Sequence, residues 1–473
     1  RSYSVTGVQT CALPICIREM IPSDHYLRFL KYFIYWFNRN LHEYIPQEFK
    51  EEIFGISRSA SGQFDYIGEP YRRMMNYHSA HDIGHALEQL SLVGCSSFGV
   101  WDNASADSSL IIGRNFDFYA GDDFAGNKIV LFIKPEKGIP FMIITWGGMI
   151  GAVSGMNLQG LTVTLNAARS GIPASARTPV SMLAREMLQY AGNIEEALRI
   201  AESRETFISE SFLIGSAQDR KAVIIEKTPF ETVVVNPAGD QVSCTNHFQS
   251  GTLAGDPENL KNISETPTLY RQKRLLQCLQ RLAPIDIPDA AAVLRERLGI
   301  NDAFLGLGNE KALNQFIAHH SVIFRPEQGM VWVSAGPWQS GAYICYNLYD
   351  IFNTFASPDS AISVRDGSNS LPADPFMETD AFRKFLKYRK IKQEIQDALK
   401  AKVIRKPERA IIDTFLTSNP GYWETYNLTG DWFAAEGSRE EAIKYYRKAL
   451  GCQIPRKADQ KAIIRKLVEI KSN

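Results

Sequence analysis

The sequence predicts an α+β protein in which sheets are layered with helices. Three observations predict it. Short strand-like runs separated by turn residues fill the region from 95 to about 350. A helical block interrupts them and further helical blocks flank them. Strands, then helices, then strands is the order of a layered α+β chain. Finally, 45 % apolar and 22 % charged residues in a chain of 473 supply material for a large core, and the length suits two or three domains.

The elements follow in chain order. Residues 1–15, which include Ser4-Val5-Thr6-Gly7-Val8-Gln9-Thr10, read as the in-frame translation of a sequencing adapter and stay outside the fold argument. Export and localisation are thereby left open. Residues 16–94 are expected to be helical, over 26–44 and 80–92, with a loop at 57–62. The longest uncharged apolar run, residues 32–37, is far short of the ~20 residues a bilayer needs. A catalytic-size domain spans 95–352. Strands are expected at 93–100, 110–114, 129–133, 141–145, 151–154 and 161–165, with a turn at 156–160. Pro179 and Asn193 precede helices at 180–190 and 194–202. Strands at 211–214, 222–226, 232–236 and 242–245 come next. Helices at 269–282 and 290–298 then lead to strands at 321–324 and 330–334. Residues 353–374, rich in Ser, Pro, Asp and Asn, read as a linker. Residues 375–473 are helical and charged. Within them the run from Gly430 to Pro455 resembles one tetratricopeptide-type helix pair. One repeat makes no array, so this extension is expected to pack on the main domain.

Charge and cysteines narrow the function. The 52 basic and 52 acidic residues balance, so no nucleic-acid partner is expected. With Cys11 set aside as part of residues 1–15, Cys16, Cys95, Cys244, Cys278, Cys345 and Cys452 are scattered, without a C-x-x-C. They read as free thiols rather than a disulfide framework or a zinc site. His81 and His85, with His78 nearby, have the spacing of a helical metal face. Asp82 stands where a zinc-protease motif needs Glu, and Gly84 weakens the helix. No metal and no cofactor are expected.

The chemistry concentrates at Gly94-Cys95 and at Arg114-Asn115-Phe116-Asp117. Two adjacent antiparallel strands would bring these segments together. A reactive cysteine must be available as thiolate, against an ordinary pKa of ~8.5, and a neighbouring arginine favours that form. If the Gly94–Cys95 bond is cut, Cys95 gains an α-amino group of pKa ~7.7–8.0, a general base for its own thiol. Asp117 could hold that amine. Gly94, lacking Cβ, allows the thiol to reach the preceding carbonyl.

On these residues, the chain from about 93 to 345 resembles the cysteine N-terminal-nucleophile (Ntn) hydrolases. It is most similar to the acyl-CoA:6-aminopenicillanate acyltransferase group, peptidase family C45-like. Bile-salt and penicillin V hydrolases and acid ceramidase are more distant. The nucleophile of that family corresponds to Cys95, and its Arg-Asn-x-Asp motif to Arg114–Asp117. Asn166 ends the strand that follows the Gly155-x-Asn157-x-x-Gly160-Leu161 turn, Asn246 follows Thr245, and Arg271 opens the next long helix with Arg274 as a competitor. The resemblance implies a four-layer αββα sandwich with an N-terminal helical segment and a C-terminal helical, TPR-like extension. It implies Cys95 as nucleophile and, through its amine, as base. Arg114 and Asp117 would orient and activate it, Asn166 and Asn246 would donate to the oxyanion, and Arg271 would buttress the thiol. It also implies self-cleavage at Gly94-Cys95, with the upstream segment retained as a small α subunit. The partner is then a small-molecule amide or acyl donor.

Phe118, Trp146 and His247 are candidate substrate contacts. Two rival readings remain. A papain-type peptidase would need a histidine base, for which His319 and His320 are the distant candidates. A helical-repeat binding protein with a degenerate hydrolase domain would leave Cys95 unreactive.

Overall fold

The computed structural model describes residues 32, 34–79, 94–119, 121–171, 176–354, 364–401 and 409–472. Its strands in chain order are β1 (Ser96–Asp102), β2 (Ser108–Phe116), β3 (Ile129–Ile133), β4 (Phe141–Thr145), β5 (Ser154–Asn157), β6 (Leu161–Ala167) and β7 (Glu210–Ser216). The series continues with β8 (Lys221–Lys227), β9 (Thr232–Val235), β10 (Gln241–Cys244), β11 (His320–Arg325), β12 (Met330–Ser334), β13 (Tyr343–Asn347) and β14 (Asp366–Leu371). They form two seven-stranded sheets. One runs β10-β1-β2-β11-β12-β13-β14, and the other is the consecutive meander β3 to β9. Neighbouring strands pair antiparallel.

Side-chain alternation along the strands explains the stacking. On β2, Leu110 and Ile112 point into the core between the sheets, where they join Met142, Leu213, Ile224 and Val322. Ile111 points the other way, into a core shared with the helices Thr268–Leu282 and Ile287–Leu294. The second sheet turns Ile143, Val163 and Phe212 outward onto the helices Val180–Tyr190 and Ile194–Ser203. The result is an αββα sandwich. Asn193 caps the second of those helices by accepting the Glu196 N–H, as its N-cap position predicts.

The upstream helices Gln47–Ser57 and Pro70–His78 join the outer core of the second sheet through Phe49, Ile53 and Met74. The C-terminal helices Asp380–Ala401, Trp423–Ala435 and Arg439–Leu450 build a separate aromatic core that takes in Phe316 and Trp338 of the sandwich. Among the described residues no helix is long and apolar enough to cross a membrane.

Several expectations are corrected. The strand expected at 151–154 lies at Ser154–Asn157, because Ala152 spends its N–H on the Ser181 carbonyl instead of a ladder. The hairpin turn is correspondingly shorter and closes on Gly160 at φ 76°, a backbone that favours glycine. The linker 353–374 contains β14, the edge strand beside β13. Its polar composition suits an exposed edge, and Trp332 Nε1 donates to the Asn369 carbonyl to hold it. The helix expected over 26–44 gives way to a turn after residue 37, where the Asn38 amide donates to Asn76 and Ser79. The helix expected at 290–298 starts at Ile287, behind a capping box on Asp286. The helix Pro257–Glu265 was not expected. The stretch 80–92, with His81 and His85, lies outside the described residues.

Candidate active site

Strand pairing builds the site. Ser97 of β1 lies opposite Arg114 of β2, so Cys95 sits at the start of β1 against the end of β2. The Arg114 guanidinium is fully buried. Its Nη2 donates to Cys95 Sγ at 3.7 Å and to the Leu165 carbonyl. Its Nη1 donates to the Val153 carbonyl at 2.6 Å and to Ser154 Oγ. Phe116 lies under the cation, 4.5 Å from ring centre to Cζ. A buried arginine needs such partners, because an uncompensated charge costs several kcal/mol.

Gly94 is held on both sides. Its N–H donates to the Asp117 carbonyl at 2.9 Å. Its carbonyl accepts from Arg271 Nη1 at 2.7 Å and from Gln315 Nε2 at 2.9 Å. Arg271 Nη1 also reaches the Cys95 carbonyl at 2.5 Å, and its Nη2 donates to Asn246 Oδ1 at 2.8 Å. Arg274, the competing choice, instead pairs with Glu296 and Asp302 at 2.9 and 2.6 Å, away from the cysteine. Asn166 receives the Ser97 hydroxyl at 2.9 Å and donates to the Cys244 carbonyl at 3.2 Å. Asn246 donates to the Ala167 carbonyl at 3.1 Å.

Burial dominates the electrostatics. It pushes the Cys95 thiol up to about 11, against the pull of Arg114 and with a further push from Asp117. It pushes Asp117 up to about 8, although Arg271 and Arg114 both favour its carboxylate. Among the described residues Asp117 Oδ1 has no hydrogen-bond partner, while Oδ2 accepts from Gln315 Nε2 at 3.4 Å.

Two groups were missed by the sequence reading. Glu210, the first residue of β7, is fully buried and raises the thiol pKa through its charge. An acidic residue opening an apolar strand was the available signal. Gln315 had none. It lies in an irregular loop that follows no motif.

The three candidate substrate contacts are placed as follows. Phe118 and Trp146 pack with Phe116, Phe124 and Cys95 itself in a small buried core. His247 turns into the protein, where Nδ1 bonds Thr245 and Thr268 hydroxyls at 3.1 and 2.9 Å. His319 and His320, the bases a papain-type enzyme would need, bond each other through Nδ1 at 2.8 Å. His320 Nε2 reaches Ser154 Oγ at 2.8 Å, so it meets Arg114's partner and not the thiol.

A cavity of about 770 Å³ opens in front of the junction. Gly94, Asn246, Arg271 and Gln315 form its floor. The C-terminal extension supplies a wall that includes Lys392, Trp423 and Arg456. Cys95, 1 % exposed, lies behind Gly94. The loop that carries Gln315 is clamped by the same extension. Leu307 exchanges two hydrogen bonds with the Asn419 side chain at 2.9 and 2.8 Å, and Arg389 donates to the Phe316 carbonyl at 2.9 Å. Phe316 itself adopts φ 54°, a backbone that costs a non-glycine residue about 1–3 kcal/mol. Its ring, 4.8 Å from that of Phe385, supplies the packing that holds it there.

Two stacked antiparallel sheets between helices, with a cysteine at the start of a central strand, define an Ntn-hydrolase fold. Residues 103–337 match the model of the acyl-coenzyme A:6-aminopenicillanic acid acyl-transferase family. An uncharacterised protein of Archaeoglobus fulgidus is 25 % identical over 197 residues, 38 % of this chain and 32 % of that protein. The chain thus spans about a third of the length of the curated relative it matches. Among solved structures it is similar to the Caenorhabditis elegans ortholog of N-acylethanolamine-hydrolyzing acid amidase. The identity there is 18 %, covering 49 % of this chain and 93 % of that one, with a TM-score of 0.36. It is also similar to a variant of the Clostridium perfringens conjugated bile acid hydrolase at 13 % identity. That match covers 54 % of this chain and 93 % of the other, with a TM-score of 0.36.

Proposed function

We propose that the chain cuts itself between Gly94 and Cys95 and then hydrolyses or transfers the acyl group of a linear amide through a thioester on Cys95. The observation that carries this reading is the junction itself. A thiol with an arginine donating to it follows a glycine whose amide and carbonyl are both held, at the back of a cavity large enough for a ligand.

Before cleavage the Cys95 nitrogen is an amide and is no base. Asp117 then accepts the thiol proton, a task suited to a buried carboxyl whose pKa lies near 8. After cleavage the freed α-amine takes over. Cys95 Sγ attacks the substrate carbonyl, the amine leaves with a proton, and water or a second amine resolves the thioester. Asn166 and Asn246 donate to the oxyanion. A side-chain amide carries two N–H donors, so each retains one beyond its bond to Cys244 or Ala167. The upstream segment stays as a small α subunit. The hydrogen-bonding of His319 and His320 argues against a papain-type mechanism.

Intact mass spectrometry tests the reading. The wild type is expected as two fragments split at Gly94–Cys95, and Cys95→Ala as one chain. An uncut wild type whose thiols resist alkylation would remove the proposal in favour of a non-catalytic binding protein. N-acyl amino acids, N-acyl amines, bile amides and penicillin amides form the substrate panel.

A further inference from the structure

We propose that Gln315, together with Arg271, is the oxyanion cradle of the self-cleavage step. The inference rests on the self-cleavage reading above and adds to it a catalytic residue that no motif marks.

Three observations carry it. First, the Gly94 carbonyl oxygen accepts from Gln315 Nε2 at 2.9 Å and from Arg271 Nη1 at 2.7 Å. Both donors are 2 % exposed and held in place before the reaction, as oxyanion donors must be. That oxygen is the atom on which negative charge develops if Cys95 attacks its own preceding carbonyl. Second, the cradle explains the glycine. A Cβ on residue 94 would lie 2.5 Å from Gln315 Nε2 and 2.8 Å from Oε1. Any other residue would push the amide away from the carbonyl it holds. Third, Gln315 is fixed on both flanks. Asn314 Oδ1 accepts from the Phe316 N–H at 3.0 Å, and the left-handed Phe316 is held by Arg389 and Phe385 of the C-terminal extension. The extension therefore preorganises a donor for chemistry at the other end of the cavity.

The step balances. The thiol proton passes to Asp117. The Sγ–C bond forms while the carbonyl π pair moves onto the Gly94 oxygen, where Gln315 and Arg271 donate to it. Collapse breaks the C–N bond, and the leaving Cys95 nitrogen takes the proton from Asp117. Water then opens the Gly94 thioester, giving a Gly94 carboxylate and the free Cys95 thiol.

The test follows fragment formation in the full-length protein by intact mass spectrometry, with thermal melting as the measure of folding. Gln315→Ala is expected to slow cleavage about 10²–10³-fold, the usual effect of losing one oxyanion donor. Gln315→Met keeps the length of the side chain but cannot donate, and is expected to slow it as strongly. It decides the matter if the alanine variant fails to fold. Cleavage of a folded variant at the wild-type rate overturns the proposal. Gly94→Ala adds an independent arm. It should slow cleavage in the wild type but add little in Gln315→Ala, where the clash is gone. Multiplying losses would overturn direct contact. A wild type that never cuts sinks the underlying reading instead, so the two failures are distinguishable.

Discussion

The upstream helices and the C-terminal helices pack on the same sandwich in opposite ways. The upstream pair is latched to the outer face of the second sheet, with an apolar core around Phe49, Ile53 and Met74. Polar latches surround that core. Arg185 pairs with Glu52 at 2.5 Å, Gln189 donates to Glu48 at 3.1 Å, and the Ile150 N–H donates to His78 Nε2 at 3.0 Å. The C-terminal helices instead wall the cavity and clamp the loop of Gln315. One appendage is attached as a subunit interface is, through a closed core. The other faces the chemistry. Cutting the chain at Gly94 would free the first from everything but its contacts, and leave the second covalently joined.

The largest effect that tests this contrast is cleavage itself. Arg114→Ala strips the thiol and Asp117 of a buried cation. Fragment formation is expected to fall at least ~10³-fold, beyond the loss of one neutral oxyanion donor. The upstream segment then stays covalent. Wild-type fragments should co-elute in gel filtration and separate only in denaturant. Wild-type fragments that separate in plain buffer would break the contrast.

The next effect falls on the latch. Phe49, 1 % exposed, also lies beneath the Arg185 guanidinium at 4.5 Å. Phe49→Ala is expected to cost about 3–5 kcal/mol. In cleaved protein, native mass spectrometry should show the upstream fragment dissociating. In the uncut Cys95→Ala background the same change should only lower the melting temperature.

A pH effect of similar origin follows from His78. Its Nε2 accepts the Ile150 N–H, so Nδ1 carries the proton given to the Met74 carbonyl at 2.8 Å. Burial, opposed by the hydrogen bond to Met74 and aided by Arg185, lowers the pKa to about 4. The neutral ring is thus the form the native state holds. Its contribution is complete above the unfolded value of ~6.5 and is lost as pH falls toward 4, in total about 3 kcal/mol. The fragment should therefore leave the cleaved protein as pH drops through this window. His78→Gln, which keeps an acceptor without a titration, should flatten that dependence. His247, also lowered to about 4, belongs to the main chain and affects global melting instead.

The contrast also marks how far the sequence could be read. Residue patterning gave Val180–Tyr190, Ile129–Ile133 and Phe141–Thr145 with the same bounds as the structure, because the first is an amphipathic run opened by Pro179 and the other two are short apolar runs. The Arg114 pairing was legible from spacing, since a hairpin fixes which residues meet. Gln315 was not legible. Its position depends on a loop held by helices at 380–435, and no local pattern encodes a contact that distant in sequence. Phe118 and Trp146 were ambiguous for a different reason. Aromatics near a site in sequence are equally good at filling a core, and here they do.

The smallest effect separates the wall from the floor. Lys392 pairs with Glu424 at 2.6 Å and Arg456 with Glu310 at 2.9 Å, all four lining the cavity beyond Gly94. None touches the cysteine, so removing them should alter how a ligand binds and not how the bond is broken. Lys392→Ala and Arg456→Ala are each expected to raise KM about 3- to 10-fold for the preferred amide, roughly 1 kcal/mol, with kcat and the rate of self-cleavage unchanged. If both wall variants keep KM for every amide turned over, the C-terminal helices do no more than hold Phe316. The amide would then be recognised on the floor alone.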